Sequence, residues 1–545
     1  LETNKEKAMK VPVLVVGGGP VGLCVAGDLG WRGIDVLEIE RTDGAVVQPK
    51  MDMPHIRTLE FCRRWGLVEQ VEQSGYNRKY PQDNVWVTSL IGGHELGREP
   101  FPCCDDEPYP PQSPQRRERA PQNFFDPVIA RWTKSFPSVD LRYFTELVDF
   151  TESDDGVRAT IRDTKTGATE EVEARYMVAC DGAGSMIREK LGITLTGNAV
   201  LTYTTNVIFR SRDLDKLKTI KTGYRYIFIG PEGTWATLVA IDGYENFRFS
   251  LVGGASRSQM SDDDLIAAIK RAVGAPCDIE LVSTMPWTRR ELVADKYGTK
   301  RIFLVGDSAH QLSPTGAFGM NTGLQEAVDI AWKLEAMVRG WGGPNLMASY
   351  ESERKPVAAI NVRTAAENLG RMLETRTRKP PMEIFETGAK ADAARKEYGD
   401  WYTKQMWPEW FTIGIHIGYR YDKSPIVVGD GTSPPPFDMH TYIQTSHAGC
   451  RAPHAWMKDG RSTLDLFGKG FVLMRLGANP PDASALLAAA KSRGVPIREE
   501  RIDEAAVTSV YEKTLVLVRP DGHVAWRGDD LPEIVLGLVD KVRGA

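Results

Sequence analysis

The chain has 545 residues, of which 42% are hydrophobic and 26% charged, with a net charge of −5. That is too long for one ordinary domain and is the composition of a globular protein with room for a large core. No long basic run argues for nucleic acid as a partner, and no apolar run reaches the roughly 18 residues of a membrane span.

The polar opening, Leu1 to Lys10, reads as a flexible leader or an expression remnant. β-Formers at Val13 to Val16 then run into glycines spaced Gly17-x-Gly19-x-x-Gly22, and a helical pattern follows from Pro20 to Arg32. Gly17 permits a tight turn, Gly19 lets backbone approach a pyrophosphate, and Gly22 lets the helix pack closely on the sheet. The helix N-terminus offers free N–H groups to phosphate. A second strand, Asp35 to Ile39, ends in Glu40, about 20 residues past the glycines, where a carboxylate commonly takes ribose hydroxyls. A dinucleotide site is therefore expected.

Pro54 to Val71 reads as one amphipathic helix, and Glu72 to Gln115 as an irregular, Pro-rich stretch. Gln122 to Phe136 is predicted helical, and Val139 to Tyr143 and Arg158 to Arg162 as strands. Tyr176 to Cys180 is a buried strand ending in Asp181-Gly182. From Ala199 to Gly253 the period becomes 2, which indicates an antiparallel sheet. Ser261 to Val273 is a helix with acids at its N-terminus. Arg301 to Val305 is a strand leading into Gly306-Asp307, and Asn321 to Arg339 a helix. Proline clusters at Lys379-Pro-Pro381 and Thr432 to Pro436 mark boundaries. The tail reads as a compact α/β unit with strands at Gly470 to Arg475, Pro496 to Ile502, Thr514 to Val518 and Val524 to Trp526. The seven cysteines, Cys24, Cys62, Cys103, Cys104, Cys180, Cys277 and Cys450, show neither a disulfide framework nor metal-ligand spacing. No metal is expected, and with no signal peptide a cytoplasmic location is.

Three strand–turn–helix units in fixed order, at Gly17-x-Gly19-x-x-Gly22, Asp181-Gly182 and Gly306-Asp307, resemble the signatures of the FAD-dependent aromatic hydroxylases, single-component flavoprotein monooxygenases. Supporting segments are Pro49 to Glu60, Pro121 to Pro127 and Asn321 to Leu334. The similarity is to the phenol 2-monooxygenase, 2,4-dichlorophenol 6-monooxygenase and 2-hydroxybiphenyl 3-monooxygenase type, with polyketide hydroxylases next. It implies a Rossmann-like FAD-binding domain (1–71, 116–195, 296–378), an interleaved antiparallel-sheet substrate domain (72–115, 196–295), a helical or irregular linker (379–436) and a thioredoxin-like tail (437–545). The tail has Gly477-Ala-Asn-Pro-Pro481 where a redox member carries Cys-x-x-Cys, so no dithiol role is expected.

The resemblance places the FAD pyrophosphate at Gly17, Gly19, Pro20 and Gly22, the adenosine at Glu40, Arg41 and Val148, and the flavin side at Gln122, Pro314, Gly319, Met320 and Asn321. Asp307 is placed on the ribitol, and Asp181 and Gly182 at both FAD and NAD(P)H. The family usually carries two glycines after its Pro-Thr pair; here Gly316 is followed by Ala317 and Phe318. The implied reaction uses NAD(P)H, NADPH favoured, and O₂, by way of a flavin C4a-hydroperoxide, to hydroxylate a phenol ortho or para to its hydroxyl. The alternatives are an oxidase or reductase without oxygen transfer and a non-catalytic flavin-binding protein. Asp52, His55, Asp105, Asp106 and His310 are candidates for activating the phenol, with solvated or capping roles as the alternative. Tyr224 and Tyr226, on one strand face opposite Arg225, together with Trp235, Phe249 and Pro314, are candidates for a ring pocket; plain sheet packing is the alternative for the aromatics. A phenolic small molecule is the expected partner, with a homo-oligomer possible in principle.

Overall fold

The structure is a computed structural model that describes residues 8–254, 256 and 260–545. Residues 1–7 of the polar opening lie outside the described residues. The strands β1 (Met9–Val16), β2 (Val36–Glu40), β5 (Val139–Tyr143) and β8 (Thr169–Ala179) form a parallel sheet in the order β5-β2-β1-β8, most apolar at β1 and at the C-terminal end of β8. Near-continuous apolar runs suit strands covered on both faces. β14 (Ile302–Leu304) pairs with the C-terminal end of β8, while β7 (Val157–Asp163) and β6 (Thr145–Glu152) extend its other half as an antiparallel pair. Helices α1 (Pro20–Trp31), α3 (Gln122–Lys134) and α5 (Phe318–Arg339) pack around this sheet. Pro20 opens α1, where a missing N–H costs nothing. The single helix expected over Pro54 to Val71 is two. α2 (Ile56–Trp65) ends at Gly66, whose φ of +73° stops it, and a short helix restarts at Val68–Glu72.

The second sheet has eight strands in the order β15-β13-β9-β12-β11-β10-β3-β4. Its centre is β9 (Leu195–Arg210), β10 (Arg225–Gly230), β11 (Gly233–Ala240) and β12 (Asn246–Gly254), all antiparallel where they pair. Two corrections arise here. The stretch expected to be irregular over 72–115 contains β3 (Asn84–Val87) and β4 (Glu95–Glu99), which extend the sheet through a parallel β3–β10 pair. The long strand β13 (Glu280–Ala294), which no alternation in the sequence announced, pairs along β9 and with β15 (His310–Gln311).

The two faces of this sheet are covered differently. On one, Tyr226, Phe228, Trp235 and Phe249 form a core with Leu265, Ile269 and Ala272 of α4 (Asp262–Val273). A reciprocal cap between Ser261 and Asp264 starts α4. On the other, α6 (Ala348–Leu373) and α7 (Ala389–Trp410) cover only part of the sheet, through Leu369, Tyr398, Tyr402 and Met406 against Trp86, Ile227 and Ile229. A Cβ at Gly399 would stand 1.6 Å from the Leu96 carbonyl, so glycine is what lets α7 lie on β4. The stretch 379–436, expected as a linker, therefore roofs the sheet. The uncovered part of that face walls a cavity.

The tail holds β16 (Phe471–Leu476), β17 (Ile497–Ile502), β18 (Leu515–Val518) and β19 (Val524–Gly528) in the order β17-β16-β18-β19, only the first pair being parallel. Helices α8 (Ser484–Ser492), α9 (Ala505–Tyr511) and α10 (Val535–Val542) connect and follow them; α9 was not anticipated. The tail docks on α5 and α6 through a buried charge cluster. Arg519 donates to Glu353 (2.6 and 2.9 Å), Asp329 (3.1 Å) and Asp521 (2.6 Å), while Lys333 donates to Asp329 (2.7 Å) and Glu353 (2.6 Å). Burial first, and then Glu353, push Asp329 up, which reduces the excess negative charge of three carboxylates facing two cations. No helix among the described residues is long and apolar enough to cross a membrane.

Candidate active site

The first cavity lies where β1, β8 and β14 end. It is lined by Gly19, Pro20, Gly22, Gln122, Gly182, Asp307, Pro314, Gly319 and Met320, residues that three strand–turn–helix units bring together from across 300 positions of sequence. The glycines divide by what surrounds them. Gly17 has φ +111°, and a Cβ there would stand 2.3 Å from the Cys180 carbonyl; one at Gly22 would stand 1.8 Å from the Gly17 carbonyl. These two serve the packing of strand and helix. At Gly19 and Gly182 an added Cβ meets no protein atom within 4 Å. There the bare backbone faces open space beside the N-terminus of α1, an arrangement that fits a dinucleotide pyrophosphate.

Other residues expected at the cofactor are placed differently. Glu40 ends β2 with its carboxylate accepting from Gly18 N–H (2.8 Å), Thr42 N–H (2.8 Å) and Thr42 Oγ1 (2.7 Å). Arg41 is exposed beside it, and Val148, also exposed, is the extra residue where the β6–β7 register slips. None of the three lines the cavity. Asp181 turns onto the short helix Met186–Lys190, accepting from Ile187 N–H (3.2 Å), and burial pushes its pKa up. The Asn321 side chain is already fully used: it accepts from His55 N–H (2.8 Å) and Thr58 Oγ1 (2.7 Å) and donates to Met53 O (3.0 Å) and Ala317 O (2.7 Å). It therefore ties the start of α5 to the 53–58 loop and has no group left for a ligand. Gln122 lines the cavity while bridging Lys50 N–H (3.1 Å) and Asp126 (3.0 Å).

The second cavity lies between the polar face of the second sheet and the roof. Arg225, Thr237, Val239, Arg248 and Ser250 form its sheet wall, and Glu409, Trp410, Thr412 and His416 its roof. Lys50, Met285, Trp287, Pro314 and Ala317 line both cavities, so the two are neighbours across one thin wall. Ala317 in that wall has φ +57° and ψ +33°, a left-handed conformation that costs a non-glycine residue about 1–2 kcal/mol. Ala317→Gly is expected to stabilise the protein by about 0.5–1 kcal/mol after the extra chain entropy of glycine is subtracted, read as a higher thermal midpoint.

Arginines dominate the second cavity. Arg248 pairs with Asp52 (2.9 Å), Arg225 with Glu409 (2.9 Å) and Arg117 with Glu107 (2.7 Å). Burial alone would raise the Asp52 pKa, but the Arg248 guanidinium overrides it and holds Asp52 ionised. Arg119 instead donates to Gln82 (2.7 Å) and lies 3.6 Å over the Tyr224 ring. Arg289 donates to Thr204 Oγ1 (2.9 Å) and Ser313 Oγ (3.1 Å).

The expected base and ring-pocket candidates separate accordingly. Asp52 and Tyr224 line the second cavity. Tyr226, Trp235 and Phe249 do not; they are on the opposite sheet face in the α4 core, and Trp235 stacks under Arg271. Period 2 separated Tyr226 from Arg225 correctly, but the charged face is the one toward the cavity. Tyr224 precedes β10 and reaches the cavity from the strand's start. Asp105 pairs with Arg78 and Asp106 accepts from Cys103, both outside the cavity. His310 is buried against Glu326 (3.1 Å) and lines neither cavity. His55 stacks on His416 with ring centroids 3.8 Å apart. Burial, then the neighbouring cationic and imidazole groups, hold the His55 pKa well down and that of His416 at about 3, so both rings are neutral and weak bases at neutral pH. Sequence reasoning missed Arg119, Arg248, Arg289, Glu409 and His416. The available signal was charge recurring on alternate positions of apolar strands, as at Arg225 and Arg248.

A family model described as "FAD binding domain" matches residues 10–365, and one described as "Aromatic-ring hydroxylase, C-terminal" matches residues 445–542. A putative polyketide hydroxylase of Streptomyces halstedii is 32% identical over 96% of this chain and 94% of its own length. The 2,4-dichlorophenol 6-monooxygenase of Delftia acidovorans is 28% identical over 99% of this chain and 98% of its own. Among solved structures, chromopyrrolic acid-soaked RebC with bound 7-carboxy-K252c superimposes with a TM-score of 0.91 at 38% identity, covering 99% of this chain and 100% of that one. With the glycine cradle at the strand ends and a second cavity beside it, these likenesses place the chain in the FAD-dependent aromatic-ring hydroxylase family.

Proposed function

We infer that this flavoprotein hydroxylates a phenolic ring, consuming NAD(P)H, with NADPH favoured, and O₂. The observation that carries this reading is the thin shared wall of Lys50, Met285, Trp287, Pro314 and Ala317 between the glycine-lined cavity and the arginine-rich one, a layout that supports binding of a ring beside the cofactor. FAD, when bound, supplies the redox chemistry that takes two electrons from NAD(P)H and leaves one atom of O₂ for the ring and one for water. Gly19 and Gly182 give the cofactor close access to backbone, and Asp307 lines the same cavity.

The rest of the work falls to the second cavity. His55 and His416 are neutral and poor bases, so general-base removal of the phenol proton is not their task. The positive field of Arg119 and Arg289, which make no direct ion pair with a carboxylate among the described residues, favours an ionised substrate oxygen instead. A ring carrying more negative charge is a better nucleophile. The roof from α7 and Ile413–Ile417 shields the site from water, which limits loss of reducing equivalents to peroxide. The tail's β-α-β-α-β-β-α order supports a thioredoxin-like unit, and Cys450, buried and with its thiol pushed up to about 12 by burial, gives it no dithiol chemistry.

The relatives' names span a chlorinated phenol and polyketides, so a panel of phenols is the test. With ¹⁸O₂ and NADPH, a good substrate is expected to speed NADPH oxidation and gain one labelled hydroxyl ortho or para to its own. Turnover without label in the product sinks this reading in favour of an oxidase or reductase. No turnover with any phenol, FAD being bound, favours a flavin-binding protein.

A further inference from the structure

Arg289 is a guanidinium with no carboxylate in hydrogen-bond or ion-pair contact among the described residues; Glu409, the acid that favours its charge, is held by Arg225. It stands on β13, 5% exposed, with Arg225 and Arg248 nearby, and it lines the second cavity. Its Nε and Nη1 donate to Thr204 and Ser313, both neutral, and Nη2 has no protein partner among the described residues. The other guanidinium groups of the sheet wall, Arg225 and Arg248, each have a carboxylate. A buried, unpaired cation is expensive, and burial first and Arg225 next hold Arg289 down to about 9. Such a group persists where a ligand completes it.

We propose that Arg289 reads a permanently anionic group of the substrate, so that the true substrate is an aromatic acid, a hydroxyaryl carboxylate, and not a neutral phenol. This deepens the monooxygenase reading above and rests on it for the identity of the ring. The choice of carboxylate over phenolate is one of ionisation. A phenol with a pKa near ~10 must first lose a proton to pair with Arg289, whereas a carboxylate with a pKa near ~4 is already charged at neutral pH. Arg119, also without a carboxylate partner among the described residues, keeps the cavity positive after Arg289 is neutralised. A phenolic oxygen elsewhere on the ring thus still meets a favourable field.

The test uses the FAD-loaded enzyme and three probes of similar shape: 6-hydroxy-2-naphthoate, its methyl ester and 2-naphthol, titrated by the change in flavin absorbance. The acid is expected to bind about tenfold or more tighter than the ester. Arg289→Met should erase that preference with FAD content unchanged, and Arg289→Lys should restore part of it. Equal binding of acid and ester by the unmodified enzyme, binding of neither, or an acid preference that survives Arg289→Met overturns the assignment. If the methionine variant does not fold, Arg289→Gln takes its place, and equal binding of acid and ester by the unmodified enzyme overturns the assignment without either variant. Incorporation of ¹⁸O is measured separately. Labelled product from 2-naphthol without acid preference defeats the anion site and leaves the monooxygenase standing. Acid preference without label in any product does the reverse.

Discussion

Arg519→Met is expected to destabilise the protein by about 3–5 kcal/mol and to release the tail, because it strands buried charge. Arg519 alone contacts Asp329, Glu353 and Asp521 together; without it, the three buried carboxylates keep one cation, Lys333, on Asp329 and Glu353, with the Ser424 hydroxyl on Glu353 and His523 beside Asp521. The loss should depend on pH with a definite sign. Carboxylates left without a partner in a buried site have folded pKa values raised above those of the unfolded chain. Native protein then binds more protons, and stability is lost as pH rises through the folded values. The defect should therefore shrink as pH falls from about 8 to about 5. Thermal midpoints across that range, with limited proteolysis of the tail, measure it. A variant as stable as the parent at the alkaline end would show that the cluster does not hold the tail.

The second large effect is at the glycine turn, where two substitutions that look alike should fail differently. Gly22→Ala puts a methyl 1.8 Å from the Gly17 carbonyl, so α1 must move off the sheet and both folding and FAD content should fall. Gly19→Ala meets no protein atom within 4 Å. Its apo-protein should melt like the parent's, while FAD affinity drops by about 10- to 100-fold, roughly 1.4–2.8 kcal/mol, because the methyl occupies the space the cofactor needs. FAD fluorescence titration and apo-protein melting separate the two. Equal FAD affinity in Gly19→Ala and parent would mean that the cofactor does not approach this backbone.

The cofactor cavity was legible in the sequence because it is made by backbone. Only glycine tolerates the contacts at Gly17 and Gly22, so the geometry leaves its mark in residue identity. Among the parallel strands, β1, β14 and the C-terminal end of β8 were legible for a related reason, as apolar runs leading into small-residue turns. The second cavity was not, because its wall is made by pairing. Arg289 and Thr204 are 85 positions apart, and they meet only once β13 has paired with β9. β13 itself carries Glu280, Arg289, Arg290 and Glu291, too polar to announce a strand. His416 and Glu409 belong to a stretch that Pro and Gly made look like a linker, and what gives it structure is contact with the sheet. On β10 the alternation was readable, but both faces are covered, one by a helix and one by a cavity with a roof, and period alone does not say which is which.

The charge cluster also sets an order in time. Glu353 and its guanidinium partner Arg519 are separated by 166 positions. At about 5–20 residues per second, a ribosome takes roughly 10–30 s to travel from one to the other. Throughout that interval the nascent chain already holds every residue of the glycine turn, both sheets and the first cavity, and once His416 is made it holds the roof of the second as well. It cannot seal α5 against α6 without placing acids in a dry site opposite a lone lysine. The last step in building the catalytic half of the molecule therefore waits for a residue in its tail.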